Sequence, residues 1–125
     1  MTISIWLVLA ILVAHWWADF TQQTDEMAIG KSSSNWWLTI HVGVYAAWLT
    51  AVLLCFGWLW FKPFQAMVWL FVNIILHWVT DWFTSRWTTR LWKAERRHDF
   101  FVVIGVDQLI HAATLLTSAA LLSHP

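Results

Sequence analysis

Charge is scarce in this chain: 11% of its 125 residues are Asp, Glu, Lys or Arg, where soluble domains average about 25%. So little polar surface cannot cover a protein in water, which excludes an ordinary soluble globule. The formal net charge is zero. That excludes nucleic-acid binding driven by phosphate contacts, which needs an excess of basic side chains. There is one cysteine, Cys55, so an internal disulfide is excluded. The N-terminal residues Met1 to Ile5 carry no basic region and no small-residue cleavage site follows them. The signature of a cleaved signal peptide is therefore missing, and the segment reads as a retained helix. No strand alternation, low-complexity segment or second domain interrupts the chain.

Apolar residues are what it has. They make up 60% of the sequence, and thirteen tryptophans accompany them; indole rings favour the headgroup layer of a bilayer. A membrane-crossing helix needs about 20 mostly apolar residues. Runs at about 3–22, 36–60, 64–92 and 100–122 meet that length. Between the second and third, Lys62-Pro63 forces a break, because proline cannot continue a helix interior. Lys31-Ser32-Ser33-Ser34-Asn35 has the chemistry of a loop that starts a helix. The expected fold is all-α: one transmembrane domain, 1–125, built as a polytopic four-helix bundle. Lys31, Arg86, Arg90, Lys93, Arg96 and Arg97 fall in the first and third connections, with only Lys62 on the opposite side. The positive-inside rule puts those two connections in the cytoplasm and both termini outside it. Arg86, Arg90, Arg96 and Arg97 could also meet an anionic lipid headgroup or phosphate.

Inside these apolar runs lie polar residues at helical spacing. His77 and Asp81 are four residues apart, as are His15 and Asp19, and the order reverses in Asp107 and His111. Residues so spaced share one helix face. His41 adds a histidine in the second run. At 1.5 Å per residue all seven fall within roughly 5 to 17 Å of the cytoplasmic boundary. One aspartate at the centre of a spanning helix costs about 3 kcal/mol, and three unpaired would cost roughly 8–10 kcal/mol, comparable with the whole stability of a small protein. They require compensation. The basic residues sit mostly in loops, so salt bridges can serve only Asp81, through Arg86, or Asp19.

A divalent metal compensates the charge and accounts for the histidines as well. Imidazole and carboxylate without thiolate suit Zn²⁺ first, with Mn²⁺ or Fe²⁺ as alternatives. His15, Asp19, His41, His77, Asp81, Asp107 and His111 are the expected ligands. Two divalent ions, three aspartates and a bridging hydroxide sum to zero charge. One ion with a protonated histidine does too, so one or two ions remain open. A lone His–Asp pair reads as a structural hydrogen bond; three pairs and His41 at one depth read as a metal or proton-handling site. Asn73, Gln108, Thr114 and Tyr45 lie near the pairs, with Thr80 and Thr84. They could orient ligands or satisfy helix contacts in lipid.

At these residues the sequence resembles a known family. His15-Trp16-Trp17-Ala18-Asp19-Phe20-Thr21-Gln22-Gln23-Thr24-Asp25, then His41, His77-x-x-x-Asp81-Trp82 and Asp107-Gln108-x-x-His111 are similar to the domain-of-unknown-function 3307 family of small bacterial and phage membrane proteins. That resemblance implies a bacterial inner membrane and carries no activity with it. The H-x-x-x-D spacing alone is distantly similar to zinc-dependent phospholipase C and to membrane-bound metal-dependent hydrolases.

Three functions compete. A membrane-embedded hydrolase would use metal to activate water against a lipid or lipid-linked phosphoester. A proton or metal-ion path would use the same groups, and so small a bundle would need a homo-oligomer. A non-enzymatic phage or bacterial accessory protein would use them only to hold the helices together. Membrane lipid is the expected partner in each case, and nucleic acid is not.

Overall fold

Ser34 accepts the backbone N–H of Trp37 at 3.4 Å and so starts α3 (Asn35–Phe56), satisfying a donor that the first helical turn leaves open. Pro63 starts α4 (Pro63–Lys93) at a position where its missing N–H does no harm. Gln65 reaches back to the Lys62 N–H at 3.2 Å. In this computed structural model, which describes residues 3–124, α5 (Arg97–Leu122) completes three helices long and apolar enough to cross a membrane. Met1, Thr2 and Pro125 lie outside the described residues. The fold is all-helical, with no strand among the described residues.

The first apolar run behaves differently. It forms α1 (Ile5–Trp16) and then widens into a π-helical turn over Trp17–Thr21. The Gln22 N–H donates to the Trp17 carbonyl five residues back, at 3.2 Å. The Thr21 hydroxyl donates to the same carbonyl at 2.6 Å. Ile5–Thr21 spans about 25 Å at 1.5 Å per residue, less than the roughly 30 Å of a hydrocarbon core. Instead of continuing, the chain breaks and starts α2 (Asp25–Gly30), capped by Thr24, whose hydroxyl accepts the Met27 N–H at 3.3 Å.

The bundle is polar inside and apolar outside at one end. The buried face of α4 runs Trp69, Asn73, His77, Asp81, Thr84, Ser85, Thr88, Leu91, while Phe71, Ile75, Val79, Phe83 and Trp87 on its outer face are exposed. In water that would be an aggregation surface; against lipid it is the expected one. At the other end the interior turns apolar. Leu7, Ile11, Leu49, Phe61, Trp69, Leu115 and Ala119 form one cluster there. Helix α4 packs along both α3 and α5, and α1 also packs along α3 and α5.

A candidate metal centre

The four-residue spacings turn their pairs inward. His15 and Asp19 approach at 3.7 Å, His77 and Asp81 at 3.6 Å. The π-turn carries Asp19 into the interior, where it and Ala18 are buried. There Asp19 Oδ1 lies 3.0 Å from His41 Nε2 and 3.4 Å from His77 Nε2. Asp81 Oδ2 lies 3.2 Å from His41 Nε2, and the two imidazole Nε2 atoms are 3.3 Å apart. One donor atom from each of these four residues, on α3, α4 and the π-turn, lies within 4.8 Å of the others.

A second group shares Asp81. Asp81, Asp107 and His111 also bring three donor atoms within 4.8 Å of one another. His111 Nε2 is 3.2 Å from Asp81 Oδ1.

Protons alone do not satisfy this arrangement. The two facing Nε2 atoms can share only one N–H between them. Asp19 Oδ1 and His111 Nε2, both facing the cluster, are buried without a partner in hydrogen-bond geometry. Buried polar atoms are seldom left so. The cluster can hold a divalent cation, and the donor set fits one. Ligands about 2.0–2.1 Å from a zinc ion stand about 3.3–3.4 Å apart along the edges of a tetrahedron. The five separations among Asp19 Oδ1, His41 Nε2, His77 Nε2 and Asp81 Oδ2 run from 3.0 to 3.6 Å.

Around these groups lies a hydrogen-bonded frame. Gln108 Nε2 donates to Asp19 at 3.4 Å and Asp107 at 3.0 Å. Its Oε1 therefore faces His15 Nε2, at 3.1 Å, and that nitrogen carries the proton. His15 Nδ1 then accepts the Tyr45 hydroxyl at 3.1 Å. Tyr45 also stacks on the His77 ring, with centroids 3.9 Å apart. His15 thus sits in the cluster with both ring nitrogens engaged, and belongs to neither donor group. Thr84 Oγ1 stands 2.5 Å from Asp107 Oδ1. Asn73 and Thr114 do not reach the carboxylates. Asn73 donates to the Trp69 carbonyl and Ser118, Thr114 to the His111 carbonyl, and both border a small gap beside His77 and His111.

The counter-ion of Asp81 is Lys31, not Arg86. Lys31 Nζ reaches from the connection before α3 to Asp81 Oδ2 at 2.8 Å. Burial alone would lower the lysine pKa, but the carboxylates of Asp81 and Asp19 outweigh it and hold the ammonium above its ordinary range. Arg86 makes no contact with Asp81 but donates to the Lys31 carbonyl at 3.5 Å. It donates to Asn35 at 2.9 Å and the Trp82 carbonyl at 3.0 Å, and its guanidinium lies over the Trp82 ring. Of the remaining arginines, Arg96 pairs with Asp99 at 2.7 Å. Arg97 donates to the Trp92 carbonyl and covers its ring, and Arg90 is exposed. Lys31 was missed because its sequence signal, one basic residue in a serine-rich loop, is the signal of membrane orientation.

Beside the cluster opens a cleft of about 270 Å³. Asp19, Asp107 and Gln108 line its floor, with Lys31, Ser85 and Thr88 on the wall. His41, His77 and Asp81 do not line it.

Residues 7–124 match the family described as Protein of unknown function (DUF3307), and the chain belongs to that family. No curated protein and no solved structure matches it.

Proposed function

We propose that this member of the family is a polytopic membrane protein with four membrane-crossing segments, its first and third connections cytoplasmic. Its interior binds divalent metal, zinc first, through Asp19, His41, His77 and Asp81. Its activity is hydrolysis of a lipid or lipid-linked phosphoester. The observation that carries the metal reading is the set of five donor separations between 3.0 and 3.6 Å, close to five of the six edges of a zinc tetrahedron. The first apolar segment, shorter than the hydrocarbon core, crosses by local thinning of the bilayer.

Hydrolysis is favoured over transport by access from one side. The cleft reaches Asp19 and Asp107 from the end where the connections before α3 and after α4 lie, whereas Leu7, Leu49, Phe61, Leu115 and Ala119 block the other end. A conduction path needs both ends. When bound, metal supplies a lowered pKa for water and a polarised phosphoryl oxygen. In the reaction the water oxygen bonds to phosphorus, the ester oxygen leaves with the bonding electrons, and the proton released by water ends on that leaving oxygen. Gln108 and Thr84 hold Asp107 in place at the cleft, and Lys31 offers positive charge to the substrate's phosphate.

Metal analysis of detergent-purified protein loaded with Zn²⁺ tests the first part. At least one ion per chain is expected, with Asp81→Ala and His41→Ala losing it. Wild-type protein that retains no zinc after removal of free metal would overturn the reading. Phosphoester cleavage in mixed phospholipid micelles, abolished by chelator and restored by Zn²⁺, tests the second.

A further inference from the structure

The four-donor cage explains binding better than it explains chemistry. Zinc sites filled by four protein ligands are structural, while catalytic sites keep a position open for water or substrate. Asp19, His41, His77 and Asp81 leave none, and three of the four do not line the cleft. We infer that the cluster holds a second divalent ion at Asp81, Asp107 and His111, bridged to the first through the Asp81 carboxylate, and that this second ion is the one that meets substrate. The inference rests on the metal reading proposed above and adds to it the number of ions and the division of labour between them.

Asp81 is built as a bridge. Its Oδ2 faces His41 and His77, at 3.2 and 3.6 Å; its Oδ1 faces His111, at 3.2 Å. A carboxylate serving one ion has no need of imidazoles on both oxygens. His111 provides an independent sign of a ligand. It is 2% exposed, and its Nε2 has no partner in hydrogen-bond geometry although it points at the cluster. Asp107 is held by Thr84 at 2.5 Å and Gln108 at 3.0 Å, which fixes its orientation as partners of metal ligands commonly do.

Three protein ligands leave the fourth position free, and Asp107 opens it onto the cleft. Charge sets the substrate class. One ion, three aspartates and Lys31 are neutral together. Two ions leave two positive charges, which a hydroxide and a phosphodiester monoanion neutralise. Phe20 and Phe100 flank the same cleft, so the ester carries an apolar group.

Stoichiometry separates the possibilities. Protein in detergent, loaded with Zn²⁺ and freed of excess, is expected to hold two ions per chain. His111→Ala should hold one and Asp81→Ala fewer than one. Wild type holding one ion overturns this inference and leaves the proposed metal site standing; wild type holding none overturns both. A measurement on unmutated protein guards against variants that misfold. Loaded with Mn²⁺ alone, wild type should give the broadened, exchange-coupled electron paramagnetic resonance spectrum of two adjacent ions. The six-line spectrum of an isolated ion at saturation would refute the bridge.

Discussion

Lys31 and the proposed metal would compete for one oxygen. Lys31 Nζ and the cage both claim Asp81 Oδ2, so the lysine matters most when no cation is there. Removing one partner of a buried ion pair costs about 3–5 kcal/mol. Lys31→Met is therefore expected to destabilise the metal-free protein by about 3 kcal/mol and the zinc-loaded protein far less. Thermal unfolding in detergent with and without chelator reads the difference; equal losses in both states would separate Lys31 from the metal site. The sign of its pH dependence follows from the raised lysine pKa. The ion pair stabilises the metal-free fold throughout the range below the ordinary lysine value of 10.5, and that stability is lost as pH rises through the higher folded value. Lys31→Met should lack this alkaline loss. Tyr45→Phe is a gentler change. It keeps the stacking on His77 and removes the hydroxyl bound to His15. A loss of about 0.5–1.5 kcal/mol, with zinc content unchanged, is the expected outcome of unfolding and metal measurements made together.

At the scale of elements, the connection before α3 is the part that positions Lys31. Gly30 closes α2 against Trp37, where a Cβ would stand 2.6 Å from the indole carbons. Gly30→Ala must push the two apart, at about 1–3 kcal/mol, and should carry Lys31 away from Asp81. The expected sign is lower stability with the Lys31→Met substitution no longer adding its full effect in a double-mutant cycle; strict additivity would place Gly30 outside this linkage. Helices α3, α4 and α5 were legible in the sequence, whereas α2 was not. Long apolar runs, Ser34 and Lys62-Pro63 marked α3 and α4 through hydropathy, capping and the missing proline N–H. The inward faces were legible too, since spacing by four fixes a face whatever the surroundings. The π-turn was not: Trp17 to Thr21 have no residue signature that separates a five-residue turn from an ordinary one. Nor was the sharing of Asp81. Spacing says which side chains meet, but which carboxylate oxygen meets which imidazole depends on how α4 and α5 are rotated against each other.

For the whole molecule, orientation is the first expectation to check. With the exposed Cys55 changed to serine, single cysteines at Ser33 and Ala94, both exposed, should be labelled by impermeant reagent only after the cytoplasmic side is opened. Labelling from outside in intact cells would invert the topology. A deeper consequence follows from the inside-out distribution of α4, with His77, Asp81, Thr84 and Thr88 within and Phe71, Ile75, Val79 and Phe83 without. Lipid tails are as apolar as those outer side chains, so burying apolar surface gives the helices no reason to associate. In the proposed bilayer setting, insertion and assembly would be separate events with separate drivers: hydropathy would thread the segments through the bilayer, and the aspartates and histidines would gather them afterwards. A cation at the centre would act as the last step of folding rather than as cargo added to a finished bundle. The protein's half-life in the membrane would rise and fall with the metal supply of the compartment that the cleft faces.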